Sequence, residues 1–170
     1  MGCTEGDAAP AFAVRPLEAA DRAWVREFLA SAWGSSLVVS PSGLQDASAL
    51  DGFVAVSDGQ PVGLVTYALD QHGQCEVVTL DSFAPGRGVG SALLDAVRAF
   101  AVTAGCQRVW LSTTNDNTAA LRFYQRRGWD LVALHRDVLV EWRRLKPSMS
   151  ALGHDGIPLR HALELELRLY

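Results

Sequence analysis

The segment Leu80–Leu94, LDSFAPGRGVGSALL, carries the residues whose types and spacing are best suited to chemistry. Gly86, Gly88 and Gly90 alternate with Arg87 and Val89, between a β-rich run and an apolar helical period. Glycine lets the chain take positive φ and approach a ligand closely, and the first turn of a helix presents N–H groups with no partner inside the helix. Strand, glycine loop and helix in that order make an anion site. Its donors are the amides of Gly88, Val89, Gly90 and Ser91, with help from the helix dipole and Arg87. The competing reading is a tight strand-to-helix turn with no ligand. Two nucleotide loops fit poorly: no Gly-Lys-Ser/Thr is present, and Leu93 occupies the third glycine position of a dinucleotide fingerprint.

A second set of residues follows further along the chain. The order strand, Arg87-Gly88-x-Gly90-Ser91-Ala92-Leu93-Leu94, helix, strand, then Asn117-x-x-Ala120-x-x-x-Tyr124-x-x-x-Gly128-Trp129 resembles the GNAT superfamily of acyl-coenzyme A-dependent N-acetyltransferases. The resemblance runs continuously through residues 75 to 135. It implies an α/β fold with a mixed, mostly antiparallel twisted sheet, helices on both faces and a splayed central strand pair. The implied reaction moves an acetyl group from acetyl-CoA to a primary amine of a small molecule or peptide by direct attack. By resemblance, Gly88, Gly90 and their neighbours Val89 and Ser91 bind the coenzyme diphosphate through backbone amides. Pro85 is a departure, because the family usually has Gln or Arg there, and Arg87 is the compensating donor.

The resemblance also makes Cys75–Leu80 the strand that splays from Val109–Thr113, so that the pantetheine arm pairs with exposed backbone near Leu80. Asn117 resembles the side chain that contacts that arm, and Tyr124 the hydroxyl that protonates the departing thiolate. Glu76 resembles the general base, with Asp81 or water as alternatives. Such groups have physical reasons: an amine must be neutral to attack a thioester, and a thiolate leaves more readily beside a proton donor. Each has a plainer reading. Glu76 would face outward on a sheet edge, Asp81 would bond its own turn, and Tyr124 would pack beside Phe123. Asn117 would cap a helix. Arg122, Arg126 and Arg127 share a helical surface that either meets the coenzyme 3′-phosphate or is simply solvated.

The elements that must hold these groups are legible from periodicity. Residues 11–17 read as a strand, and Trp24, Val25, Phe28, Leu29, Ala32 and Trp33 recur at helical spacing before Gly34. Residues 35–50 read as a loop, with a turn of helix near Leu44. Asp58-Gly59 and His72-Gly73 divide three antiparallel strands, 52–57, 62–69 and 74–83. A helix from Val89 to Gly105, a buried strand Arg108–Thr113, a helix from Asn117 to Gly128 and a strand Trp129–His135 follow. Val138, Leu139, Trp142 and Leu145 suit a short amphipathic helix within an extended segment, 136–161. Residues 161–170 alternate as a strand with one face buried and one solvated.

The chain has 170 residues, 49% hydrophobic and 20% charged, with a net charge of −4, which fits one globular domain across 1–170 with residues 1–10 flexible. Acidic residues outnumber basic ones, of which all but Lys146 are arginine, so broad nucleic-acid or anionic-membrane surfaces are not expected. Cys3, Cys75 and Cys106 read as reduced thiols, Met1-Gly2 lacks the Ser or Thr of a lipidation start, and the four histidines lack ligand spacing, so no metal site is expected. The expected location is cytoplasmic and the expected assembly a monomer or homodimer. The alternative function is a non-catalytic acyl-CoA-binding sensor that kept the cradle and lost the chemistry. The acceptor would be shaped by residues 33–50 and 137–159, with Trp33 and Trp142 its notable aromatics.

Overall fold

A computed structural model describes residues 11–170, and the expectations for residues 1–10, including Cys3, lie outside it. Seven strands form one sheet in the order β1-β4-β5-β6-β7-β9-β8. They are β1 (Ala13–Pro16), β4 (Asp51–Ser57), β5 (Gln60–Leu69), β6 (Gln74–Ser82), β7 (Arg108–Thr114), β8 (Asp130–His135) and β9 (Ala162–Arg168). Every neighbouring pair is antiparallel except β6 and β7. That single parallel contact follows from the helical crossover between them, α2 (Val89–Thr103).

Helices cover both faces. On one, α2 and α3 (Thr118–Gln125) bury Leu93, Val97 and Tyr124 against Val65, Val109 and Leu165. On the other, α1 (Arg22–Trp33) lays Val25 and Leu29 on Leu64 and Val78, while α4 (Val138–Leu145) packs Leu139 and Trp142 against Val39 and Ala162. Burying such side chains stabilises by roughly 1.5–3 kcal/mol each, so these apolar stripes fix where the helices sit. Among the described residues no helix is long and apolar enough to cross a membrane.

Two expectations need correction. Residues 35–50 are not a loop with a helical turn at Leu44; they form a hairpin, β2 (Leu37–Ser40) and β3 (Gly43–Asp46), followed by a short 3-10 turn at Ala47–Ala49. Strands of four residues interleaved with Ser, Gln and Asp leave too little alternation to read. The polar face of β9 is also not solvated. Because β9 inserts between β7 and β8, Glu166 is buried and accepts from Arg108 Nη1 at 2.7 Å and Arg168 Nε at 2.8 Å. Glu164 joins Arg108 and His135 at 3.0 and 2.9 Å. Alternating Leu and Glu therefore marks a strand buried on both faces, one apolar and one ion-paired.

Two irregularities prepare the site. The β5–β6 ladder passes from Thr66↔Thr79 to Tyr67↔Val77, leaving Val78 as an unpaired bulge residue. Strict alternation would put Glu76 and Asp81 on opposite faces, but the bulge re-phases β6 so that Glu76, Thr79 and Asp81 all oppose even-numbered residues of β5 and face α1. The β6–β7 ladder then stops, its last pair being Glu76↔Trp110. From Val77 onward β6 leaves β7, which continues beside β9 through Thr114.

The start of α2 is seated tightly on β5 at Gly63, where an added Cβ would lie 2.4 Å from Val89 Cγ1 and 3.0 Å from the Asp81 carbonyl. Gly63→Ala should cost about 1–3 kcal/mol by overpacking, lowering Tm by roughly 3–10 °C in a thermal melt. An unchanged Tm would mean that Val89 moves aside freely and that this contact does not seat the loop.

Candidate active site

The glycine loop leads directly into α2. Gly88 adopts φ +78° as the residue capping α2, a conformation where a β-carbon is unfavourable, and its carbonyl accepts from Ala92 N at 3.0 Å. Among the described residues, nothing accepts from the amides of Gly88, Val89, Gly90 or Ser91. Gly90 serves differently: a Cβ there would lie 3.2 Å from Phe123 Cζ, so its smallness lets α3 close beside the loop. Four free N–H groups at the positive end of a 15-residue helix fit a diphosphate.

These amides open onto a cleft of about 710 Å³ on the α2–α3 face. Leu80 and Ser82 of β6 form one wall, Pro85 to Ser91 the end, and Ala120, Phe123, Tyr124 and Arg127 the opposite wall. Arg87 is exposed and does not line the cleft. Arg127 does line it, lies 3.6 Å over the Phe123 ring and donates to Ser91 Oγ at 2.8 Å. Arg122, Arg126 and Arg127 border an adjoining open depression, so the basic face of α3 is continuous with the cleft.

Tyr124 is buried, its ring between Phe123 and Trp129 at centroid distances of 5.2 and 5.5 Å. Among the described residues no group hydrogen-bonds its hydroxyl. Burial, and secondarily the charge of Asp81, raises its pKa, so the hydroxyl keeps its proton at neutral pH. Asn117 caps α3, its Oδ1 accepting from Ala120 N at 3.1 Å, which leaves Nδ2 as its available donor.

A second cavity of about 230 Å³ lies on the opposite face, between β6, β7, the β2–β3 hairpin and α4. It shares two walls with the first. Glu76, Val77 and Val78 of β6 line this cavity where Leu80 and Ser82 line the other, and Asn117 lines it where Tyr124 lines the other. The unzipped stretch between β6 and β7 lies between them. Trp33, at the end of α1, and Trp142 of α4 are both walls.

Glu76 is not an outward-facing edge residue: it is 4% exposed, on an interior strand, and accepts from Gln45 Nε2 at 3.0 Å. Asp81 lines neither cavity and accepts from Trp33 Nε1 at 3.1 Å. Burial raises its pKa to about 6 against the opposing Trp33 hydrogen bond. A folded-state pKa above the ordinary value of 3.8 means the native protein binds the extra proton between about pH 4 and pH 6, so stability falls as pH rises through that window. Asp81→Asn keeps an acceptor for Trp33 and should stabilise by on the order of 2 kcal/mol above pH 6, a gain that disappears below about pH 4. Melting curves across pH 4–8 check this; a pH-independent difference would refute the buried ionisation.

Sequence reasoning missed Gln45, Phe123 and Lys146. Lys146 lines the second cavity and donates to the Trp33 carbonyl at 3.0 Å, a contact between distant parts of the chain that no local pattern announces. Among the described residues, no group of three or more His, Cys, Asp or Glu side chains is placed to hold a metal.

Comparison with known proteins places the sequence and the fold. The sequence model of the acetyltransferase (GNAT) family matches residues 18–129. The uncharacterised Bacillus subtilis (strain 168) protein YdhI is 40% identical over 135 residues, covering 79% of this chain and 84% of its own. Among solved structures, the IAA acetyltransferase from Bacillus cereus ATCC 14579 superposes with a TM-score of 0.73 at 16% identity, covering 93% of this chain and 99% of that one. A GNAT family acetyltransferase from Elizabethkingia anophelis with acetyl-CoA bound superposes with a TM-score of 0.67 at 15% identity, covering 94% and 99%.

Proposed function

The chain belongs to the GNAT acetyltransferase family, and from that premise we propose that it transfers the acetyl group of acetyl-CoA to a primary amine by direct attack. The observation that carries this reading is the pair of cavities on opposite faces of one sheet, sharing β6 and α3 as walls where β6 parts from β7. The diphosphate is held by the amides of residues 88–91, with Arg127 beside it. The arm runs along the free edge of β6 past Leu80, assisted by Asn117, and the thioester reaches the strand gap. Arg122 and Arg126 face the 3′-phosphate end.

In the transfer, the amine nitrogen bonds to the thioester carbonyl carbon and the carbon–sulfur bond breaks. The amine proton passes to Glu76, directly or through water, and the leaving thiolate takes its proton from Tyr124. Asp81 positions Trp33 and is not the base in this scheme. Isothermal titration with acetyl-CoA, followed by transfer assays over a panel of small amines, tests the proposal. Saturable binding with transfer supports it. Binding with no transfer to any amine would favour a coenzyme sensor, the reading that Pro85 suggests, and no binding at millimolar ligand would remove both.

A further inference from the structure

The charges of the smaller cavity are unpaired in a way that specifies its occupant. Glu76 is buried and, among the described residues, its carboxylate meets only the neutral amide of Gln45, with no cation in ion-pair range. Lys146, the single lysine of the chain, is partly buried with one of its three donors on the Trp33 carbonyl, and no described carboxylate lies in ion-pair range of it. Isolated charges withdrawn from water are costly unless something compensates them, and here one of each sign lines the same small space. Burial lowers the pKa of Lys146, the direction expected for an ammonium lacking a counter-charge. The rest of the lining is mixed: Trp33, Leu139 and Trp142 are among its apolar side chains, and Ser40, Thr113 and Asn117 among its polar ones.

We propose that the acceptor is a free amino acid with an apolar side chain, its amine directed to Glu76 and its carboxylate to Lys146. One zwitterion offers a partner to each charge, and the Trp33, Leu139 and Trp142 part of the lining takes its side chain. The volume of about 230 Å³ lies below the roughly 300–1,000 Å³ of typical drug-sized sites, which suits a single amino acid. The inference rests on the acetyl-transfer reading above and deepens it. The reaction is the one already balanced, with the α-amine as nucleophile and the N-acetyl amino acid as product. Lys146 is a specificity-determining residue, supplied by the end of α4.

The test compares matched acceptors that differ only in the carboxylate: leucine against isopentylamine, and phenylalanine against phenethylamine, with acetyl-CoA as donor. The expected result is a kcat/KM favouring the amino acids by roughly ten- to a hundredfold, the value of a charged hydrogen bond. Lys146→Met should bring that ratio close to one, and Lys146→Arg should largely preserve it. If Lys146 merely tethers α4 to the end of α1, Lys146→Met would lower Tm and leave the ratio untouched, which overturns the proposal. Equal or better use of the decarboxylated amines by the unaltered protein overturns it too, as does transfer to neither set. Titration of the same preparation with acetyl-CoA separates the cases: intact binding confines the failure to the acceptor, and lost binding brings down the acetyl-transfer reading as well.

Discussion

Replacing Tyr124 with Phe is expected to lower the maximal rate by about 10²- to 10⁴-fold while changing the acetyl-CoA dissociation constant by no more than a few-fold. The ring remains where it is, because its contacts with Phe123 and Trp129 involve carbon edges and faces that Phe reproduces. Only the hydroxyl is lost, and among the described residues it bonds no side chain whose partner would be orphaned. The coenzyme is gripped elsewhere, at the amides of residues 88–91, so ground-state binding should survive. A loss confined to kcat marks an interaction made in the transition state. Thioesters of more acidic thiols should narrow the deficit, since their leaving groups need less protonation. Wild-type turnover in the Phe variant would assign Tyr124 to packing alone.

The second large effect is expected at Glu76. Glu76→Gln retains an oxygen that can accept from Gln45, so the site should keep its shape while losing its proton acceptor, and kcat/KM should fall by about 10²- to 10⁴-fold. The deficit should shrink as pH rises toward the pKa of the acceptor amine, above which the amine is already neutral and no longer needs the carboxylate. Asp81→Asn is the contrast: it should change Tm with pH and affect turnover far less. A reversed pattern, with turnover lost at Asp81 and kept at Glu76, would move the base to the carboxylate held by Trp33.

Much of this site is legible from the chain alone, for a definite reason. The cradle depends on backbone conformation, and the glycines at residues 86 and 88, both at positive φ, write that conformation directly into the sequence. Tyr124 and Asn117 lie on a helix whose period is plain. What could not be read depends on pairing rather than on local pattern. The bulge at Val78 shifts the register of β6 and alone brings Glu76 and Asp81 to one face. The β2–β3 hairpin is too short to show its alternation, yet it supplies Gln45. β9 looked half-solvated because its polar residues are charged, but its insertion between β7 and β8 turns those charges inward onto Arg108, His135 and Arg168. Arg127 is a further guanidinium beside the loop, brought to Ser91 from far along the chain by packing over Phe123, a contact that no local pattern announces.

The most direct test of the account is a crystal structure of the acetyl-CoA complex. Diphosphate oxygens are expected within hydrogen-bond distance of the amides of Gly88, Val89, Gly90 and Ser91, with the thioester carbon between β6 and β7 facing Glu76 on one side and Tyr124 on the other. A diphosphate bound away from that loop, or a thioester held outside the gap with β6 and β7 zipped together beyond Glu76 and Trp110, would contradict it.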